Sequence, residues 1–311
     1  MRRVCQLAFI FVLAYSLYSQ PIEMHDHPVP ENLGAVSFSI SCSPAVQAQF
    51  NRGVALLHSF SYQAANISFR RVADDDPYCA MAHWGMAMTA FHPLWEPQLP
   101  SATLPMAVRE IAAARTLGSS SPRERAYIQA LSNIFTEDAL TPSSARNQDY
   151  ERAMVALAHD NPNDVEAQIF YALALLGNAP PTDRTHARQK QALAILELLD
   201  RSYPDHPGIT HYIIHACDST ELATRGLAAA RKYAKVAPSA PHALHMPSHI
   251  FTRLGMWRES IASNIASSRA AHRQGMVDEE LHAMDYPRLR LSSARPRRRR
   301  APRPRRTRRN A

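Results

Sequence analysis

A repeating interval of 34 residues limits this chain more than any other feature. Pro204 and Pro238 are 34 residues apart, and each closes an apolar helical run, as Pro77 and Pro162 do earlier. Ala65, Phe69 and Val72 precede Pro77 at the offsets that Ala192, Leu196 and Leu199 keep before Pro204. A unit of that length cannot bury its own apolar face, so copies must stack. Between the breaks, apolar residues recur at three- and four-residue spacing, which marks amphipathic helices. Only 9 glycines occur and no β-hairpin signal appears, so the expected class is all-α. The pattern predicts helix pairs 46–60 with 62–75, 78–91 with 101–117, and 122–137 with 145–160. It continues with 165–177 and 184–202, 207–217 and 220–236, 241–254 and 257–272, and a seventh first helix near Asp278.

Gly53, Ala65, Phe69 and Pro77 in the first unit resemble a tetratricopeptide repeat (TPR), in which small residues let paired helices approach and a late proline ends the second. Longer strings carry the likeness further. They are Ser41-Cys42-Ser43-Pro44, Leu56 to Phe60, Cys79 to Gly85, His92-Pro93-Leu94-Trp95, His242 to His249 and His282 to Tyr286. Together they resemble a bacterial family of exported TPR proteins whose biochemical role is not established, over roughly residues 25–286. The resemblance implies a right-handed superhelical α-solenoid of about six antiparallel pairs over 46–286, with the first helix of each pair lining a concave groove.

The two ends differ from the body. Arg2 and Arg3 precede an apolar run from Val4 to Tyr18, the layout of a signal peptide over 1–19, with an extended lead-in over 20–45. The run is short for a membrane span, which needs about 20 residues, and no later stretch is long and apolar enough. The expected location is therefore periplasmic or secreted. Cys42 and Cys79 flank the first helix pair. They form a disulfide there or, with Cys217, stay buried thiols. Residues 287–311 hold 12 arginines and no acid, so without them the formal charge of +8 becomes −4. The basic charge belongs to a disordered Arg/Pro-rich tail, and nucleic acid is an unlikely partner. Because the composition switches in mid-helix and Arg, Pro and Ala codons are GC-rich, the tail reads as a frameshift or truncation product. The last helix then lacks its partner and leaves an apolar face unsealed.

The 15 histidines carry the functional signal. His211 and His215 are four apart, as are His245 and His249, and the two pairs are offset by 34. Residues four apart share a helix face, and equivalent positions of neighbouring repeats lie side by side. Four imidazoles should therefore converge. Three chemistries fit such a patch: a site for zinc or another divalent transition metal, a polar groove for a peptide with Tyr212, Met246 and Ser248, or hydrogen-bonded packing between helices. Asp218 or Asp285 could add a carboxylate. His58 and His92, also 34 apart, should neighbour one another. Phe50, Val54 and His58, then Trp84, Met88 and His92, with Trp95 beyond, fall at groove-facing spacing, a pattern that a plain core also produces. Ser248 between histidines makes no triad, and there is no P-loop or dinucleotide fingerprint, so no enzyme class is indicated. His25-Asp26-His27 offers a further metal-binding string in the lead-in. The expected function is a scaffold or adaptor that binds a protein or peptide through the groove contacts His58, Trp84, Met88, His92, Trp95, His211, Tyr212, His215, His245 and His249. The alternative is a metal-binding protein or metal-dependent enzyme on His211, His215, His245 and His249.

Overall fold

Helix pairing organises the chain throughout the computed structural model, which describes residues 31–94, 102–136 and 141–284. The signal-peptide segment, His25-Asp26-His27, Trp95, Asp285 and the arginine tail lie outside the described residues. The chain divides into two units, Met1–Glu31 and Asn32–Ala311, and the architecture below is that of the second.

After a 3₁₀ turn at Pro44–Val46 come α1 (Gln47–His58), α2 (Tyr62–Asp75), α3 (Ala80–Met88), α4 (Leu104–Leu117), α5 (Pro122–Ser132), α6 (Ser143–Asp160) and α7 (Val165–Gly177). They are followed by α8 (Ala187–Asp200), α9 (Pro207–Ala216), α10 (Ala223–Val236), α11 (Pro241–His245), α12 (Pro247–Arg253) and α13 (Trp257–Arg273). Residues 277–284 begin a further helix. Consecutive helices pack as hairpins: α1 with α2, α3 with α4, α5 with α6, α7 with α8, α9 with α10, and α11–α12 with α13. The fold is all-α and TPR-like. Among the described residues no helix is long and apolar enough to cross a membrane.

Local chemistry sets the boundaries. Ser121 caps α5 by accepting the Glu124 backbone N–H, and Asp164 caps α7 by accepting those of Glu166 and Ala167. The predicted single helix over 241–254 is two. Pro247 supplies no N–H to the turn before it, so α11 stops at His245 and α12 starts afresh. Close approach within the first repeats depends on missing side chains. A Cβ on Gly53 would lie 2.7 Å from the Phe69 ring, and one on Gly85 would collide with the same ring.

The helices expected to line a groove pack against one another. In a simple solenoid each repeat touches only its neighbours. Here α1 also packs against α9. Phe38, from the extended segment before α1, is fully buried with Phe50, Trp84 and Tyr127 around it, at ring-centre distances of 5.4, 5.6 and 4.9 Å. Trp84 in turn meets Phe170 of α7. The extended segment is tied along its length, Asn32 to Ser239, Ala35 to Asp205 and Ser41 to Glu124. Cys42 at its end is disulfide-bonded to Cys79, the residue that precedes α3.

Candidate metal centre

The groove contacts expected from the repeat register divide into interior and rim. His58, Trp84, Met88, His211, Tyr212 and His245 are each 2% exposed or less, so none is a surface contact for a peptide. The physical reason is packing between the first helices of the pairs: α1 meets α9, and Phe38 lies among Phe50, Trp84 and Tyr127. His92, His215 and His249 are half-buried. His58 and His92 do not pair. His58 turns into an ionic cluster, whereas His92 stacks on Tyr62 with ring centres 3.9 Å apart.

That cluster joins α1, α7 and α9. The Glu166 carboxylate accepts Nε2–H of His58 at 2.8 Å and Nε2–H of His206 at 2.9 Å, while the Tyr212 hydroxyl donates to His58 Nδ1 at 3.0 Å. Burial alone would raise the Glu166 pKa. The two imidazoles and their N–H groups outweigh it and hold the carboxyl well below its usual range. For His58, burial dominates and lowers the pKa against the pull of Glu166. The three ligand-type atoms lie close together, yet both Nε2 protons are spent on the carboxylate. This is a closed hydrogen-bond network that fastens α1 to α7 and α9.

His211, His215, His245 and His249 do converge, and His242 joins them. His211 and His215 bring Nε2 to Nε2 at 3.0 Å, and His245 and His249 do the same at 3.1 Å. The ligand nitrogens of His211, His215 and His242 lie within 4.8 Å of one another. His211 and His242 have ring centres 5.0 Å apart, and His215 and His249 6.3 Å.

The outer nitrogens decide the protonation of the inner ones. His211 Nδ1 lies 2.6 Å from the His58 carbonyl, which only accepts, so the proton sits on Nδ1 and Nε2 keeps a lone pair. His245 Nδ1 lies 2.6 Å from Asn264 Oδ1. The amide is fixed in that sense because its Nδ2 donates to the Ser260 carbonyl. His249 Nδ1 donates to Asp218 Oδ2 at 2.8 Å. His245 and His249 thus turn their Nε2 atoms toward each other, 3.1 Å apart. Asp218 accepts His249 Nδ1–H through one oxygen and Arg253 Nε–H through the other, each at 2.8 Å.

Apolar walls surround the patch. Phe60 meets His211 edge-on at 4.4 Å and lies 5.7 and 5.4 Å from His215 and His242. It adopts φ +54°, a left-handed conformation that bulky residues rarely take and that concentrates at functional sites. Tyr233 stacks on His211 at 5.2 Å. Burial holds His211, His215 and His242 well below the ordinary histidine pKa, and takes His245 to about 2. The rings stay neutral, which is the form that binds metals.

No protein-family model matches the sequence, and no curated protein matches it. Among solved structures, the chain is similar to the TPR domain of P58(IPK), at 15% identity over 81% of this chain and 67% of that one, with a TM-score of 0.27. At that level the helix pairing of this chain, not the match, defines its architecture.

Sequence reasoning missed His242, which the 34-residue offset pairs with Gly208 and not with a histidine. Its signal was its position three residues before His245, on the same helix face. Asn264 and Phe60 had no signal at all.

Proposed function

We propose that this chain is a TPR-like repeat protein that binds a divalent transition metal through imidazoles carried by α9, α11 and α12. The observation that carries the reading is the convergence of His211, His215 and His242, whose ligand nitrogens lie within 4.8 Å of one another. Metal-bound histidines characteristically donate their other nitrogen to a carbonyl or carboxylate, and His211, His245 and His249 each do so. A tetrahedral ion with metal–nitrogen distances of about 2.0–2.1 Å separates its ligand nitrogens by roughly 3.3 Å, close to both observed pairs. All-imidazole donors suit zinc, copper or nickel better than calcium or magnesium. The Cys42–Cys79 disulfide supports an oxidising compartment, in keeping with export.

Elemental analysis of the purified chain, beside a His211→Ala/His215→Ala/His245→Ala/His249→Ala variant, tests the reading. The wild type should hold bound zinc, copper or nickel after dialysis and the variant should lose it. Equal metal content in the two would remove the proposal.

A second reading keeps the scaffold role of a TPR-like fold and moves it to the outside. Trp257, Ile261 and Ile265, four apart along α13, are 37–40% exposed, an apolar stripe suited to a protein partner. Partner binding that survives Ile261→Asp with Ile265→Asp would exclude that surface.

A further inference from the structure

Large apolar side chains left at the surface are unevenly distributed. Of the twelve that are exposed among the described residues, six fall between Trp257 and Met284, and the rest are scattered from Ile67 to Tyr203. Single exposed apolar residues are ordinary, whereas a concentration of them marks an interaction surface. These six form two stripes. On α13, Ile261 and Ile265 follow Trp257 at four-residue steps, and the exposed Arg258, Arg269 and Arg273 share that side of the helix. Over residues 277–284, Val277, Leu281 and Met284 fall at steps of four and three, with Asp278 and Glu280 flanking them. Ala283, fully buried, marks the opposite face of that helix. Glu259 is the single acid on α13, and residues 277–284 hold no arginine or lysine. One stripe is therefore rimmed by positive charge and the other by negative. His272 Nδ1 lies 3.1 Å from Glu280 Oε2, which ties the two helices together.

We infer that a second copy of this chain covers this surface, the α13 stripe of each copy receiving the 277–284 stripe of the other. The inference rests on the second reading above, in which the α13 stripe takes a protein partner, and it names that partner. Charge selects the second copy. Both stripes belong to one chain and their rims have opposite sign, so a two-fold axis brings each onto its complement and makes two equal contacts. Pairing α13 with α13 would instead set arginine against arginine, and like charges across an interface are costly. Length agrees with charge. At 1.5 Å per residue, Arg258 and Arg269 stand about 16 Å apart along α13, and the stripe from Val277 to Met284 spans about 10 Å. The shorter stripe fits over Ile261 and Ile265 between the two arginines, which brings Asp278 and Glu280 beside them.

Sedimentation velocity of the full chain over about 1–100 μM tests the inference. The wild type should pass from monomer to dimer across that range and go no further, because a two-fold contact closes on itself. Ile261→Asp with Ile265→Asp should remain monomeric where the wild type is dimeric, with circular dichroism showing unchanged helix content. Arg258→Glu with Arg269→Glu should weaken the dimer at least about tenfold, and so should Asp278→Arg with Glu280→Arg. All four charge changes in one chain should bring the dimer back, which damage to the fold would not do. A wild type that stays monomeric throughout overturns the second copy and leaves the stripe to another protein or to residues 285–311, so the partner reading keeps its own test. A dimer that the Ile261 and Ile265 changes do not weaken overturns this interface. Charge changes that weaken the dimer separately and fail to restore it together overturn the pairing of the two stripes.

Discussion

At the scale of single residues, the charge behind a ligand matters as much as the ligand. Asp218 touches His249 through Nδ1 only, yet it fixes which nitrogen faces inward. Replacing such a partner typically costs 10–100-fold in metal affinity. Asp218→Asn should therefore weaken binding by about 10–100-fold while leaving helix content unchanged, as read by competition with a chromophoric chelator. An unaltered dissociation constant would show that the carboxylate does not orient the ring. Glu166 has a different task, because its two oxygens each take one imidazole N–H. An amide in its place presents an NH₂ group to one of those donors. A buried donor left without an acceptor costs about 1–3 kcal/mol, so Glu166→Gln should lower stability by that order in urea unfolding. The histidine pairs were legible in the sequence because spacing alone puts i and i+4 on one face. Tautomers were not legible, since they depend on Asn264 and the His58 carbonyl, residues far away in the chain.

At the scale of elements, the site exists because helices α1 and α9 meet. Gly208 makes that contact possible: a Cβ there would sit 2.6 Å from His58 Nδ1, well inside any normal contact. Gly208→Ala must push α1 and α9 apart. Overpacking of this kind costs about 1–3 kcal/mol. The same shift carries the His58 carbonyl away from His211 Nδ1, so one substitution should reduce both melting temperature and metal affinity. Loss of stability with full affinity would separate the α1–α9 contact from the site. The helix pairs were readable from proline positions and apolar spacing, to within a few residues at each end. Pro247 was visible too, but its effect was not. The pattern across 241–254 stays apolar on one face through the break, and only backbone geometry separates α11 from α12.

At the scale of the whole array of helix pairs, the side chains expected to line a ligand groove form an aromatic core. Periodicity reports how each repeat packs on the next and carries no information about contacts four repeats away. The α1–α9 closure and the Phe38 segment were therefore hidden from a reading based on spacing. Burying imidazoles in that core has a thermodynamic consequence. His58, His211, His215, His242 and His245 all have depressed pKa values, with burial as the leading cause. In the metal-free chain they hold off protonation to lower pH, whereas the unfolded chain takes up protons at its ordinary value of about 6.5. The unfolded state thus binds more protons as the pH falls, and stability, full above about pH 6.5, drops below it. Each such group contributes up to about 1.4 kcal/mol per pH unit, so five acting together would exceed any single contact described above. Urea unfolding of metal-free protein at pH 8, 7, 6 and 5 should show a near-constant midpoint to pH 7 and a steep fall below 6.5. A bound metal stabilises only the folded chain and should shift that fall to lower pH, and a chelator should restore it. A midpoint that stays level from pH 8 to 5 would mean that these rings are not held neutral by the fold.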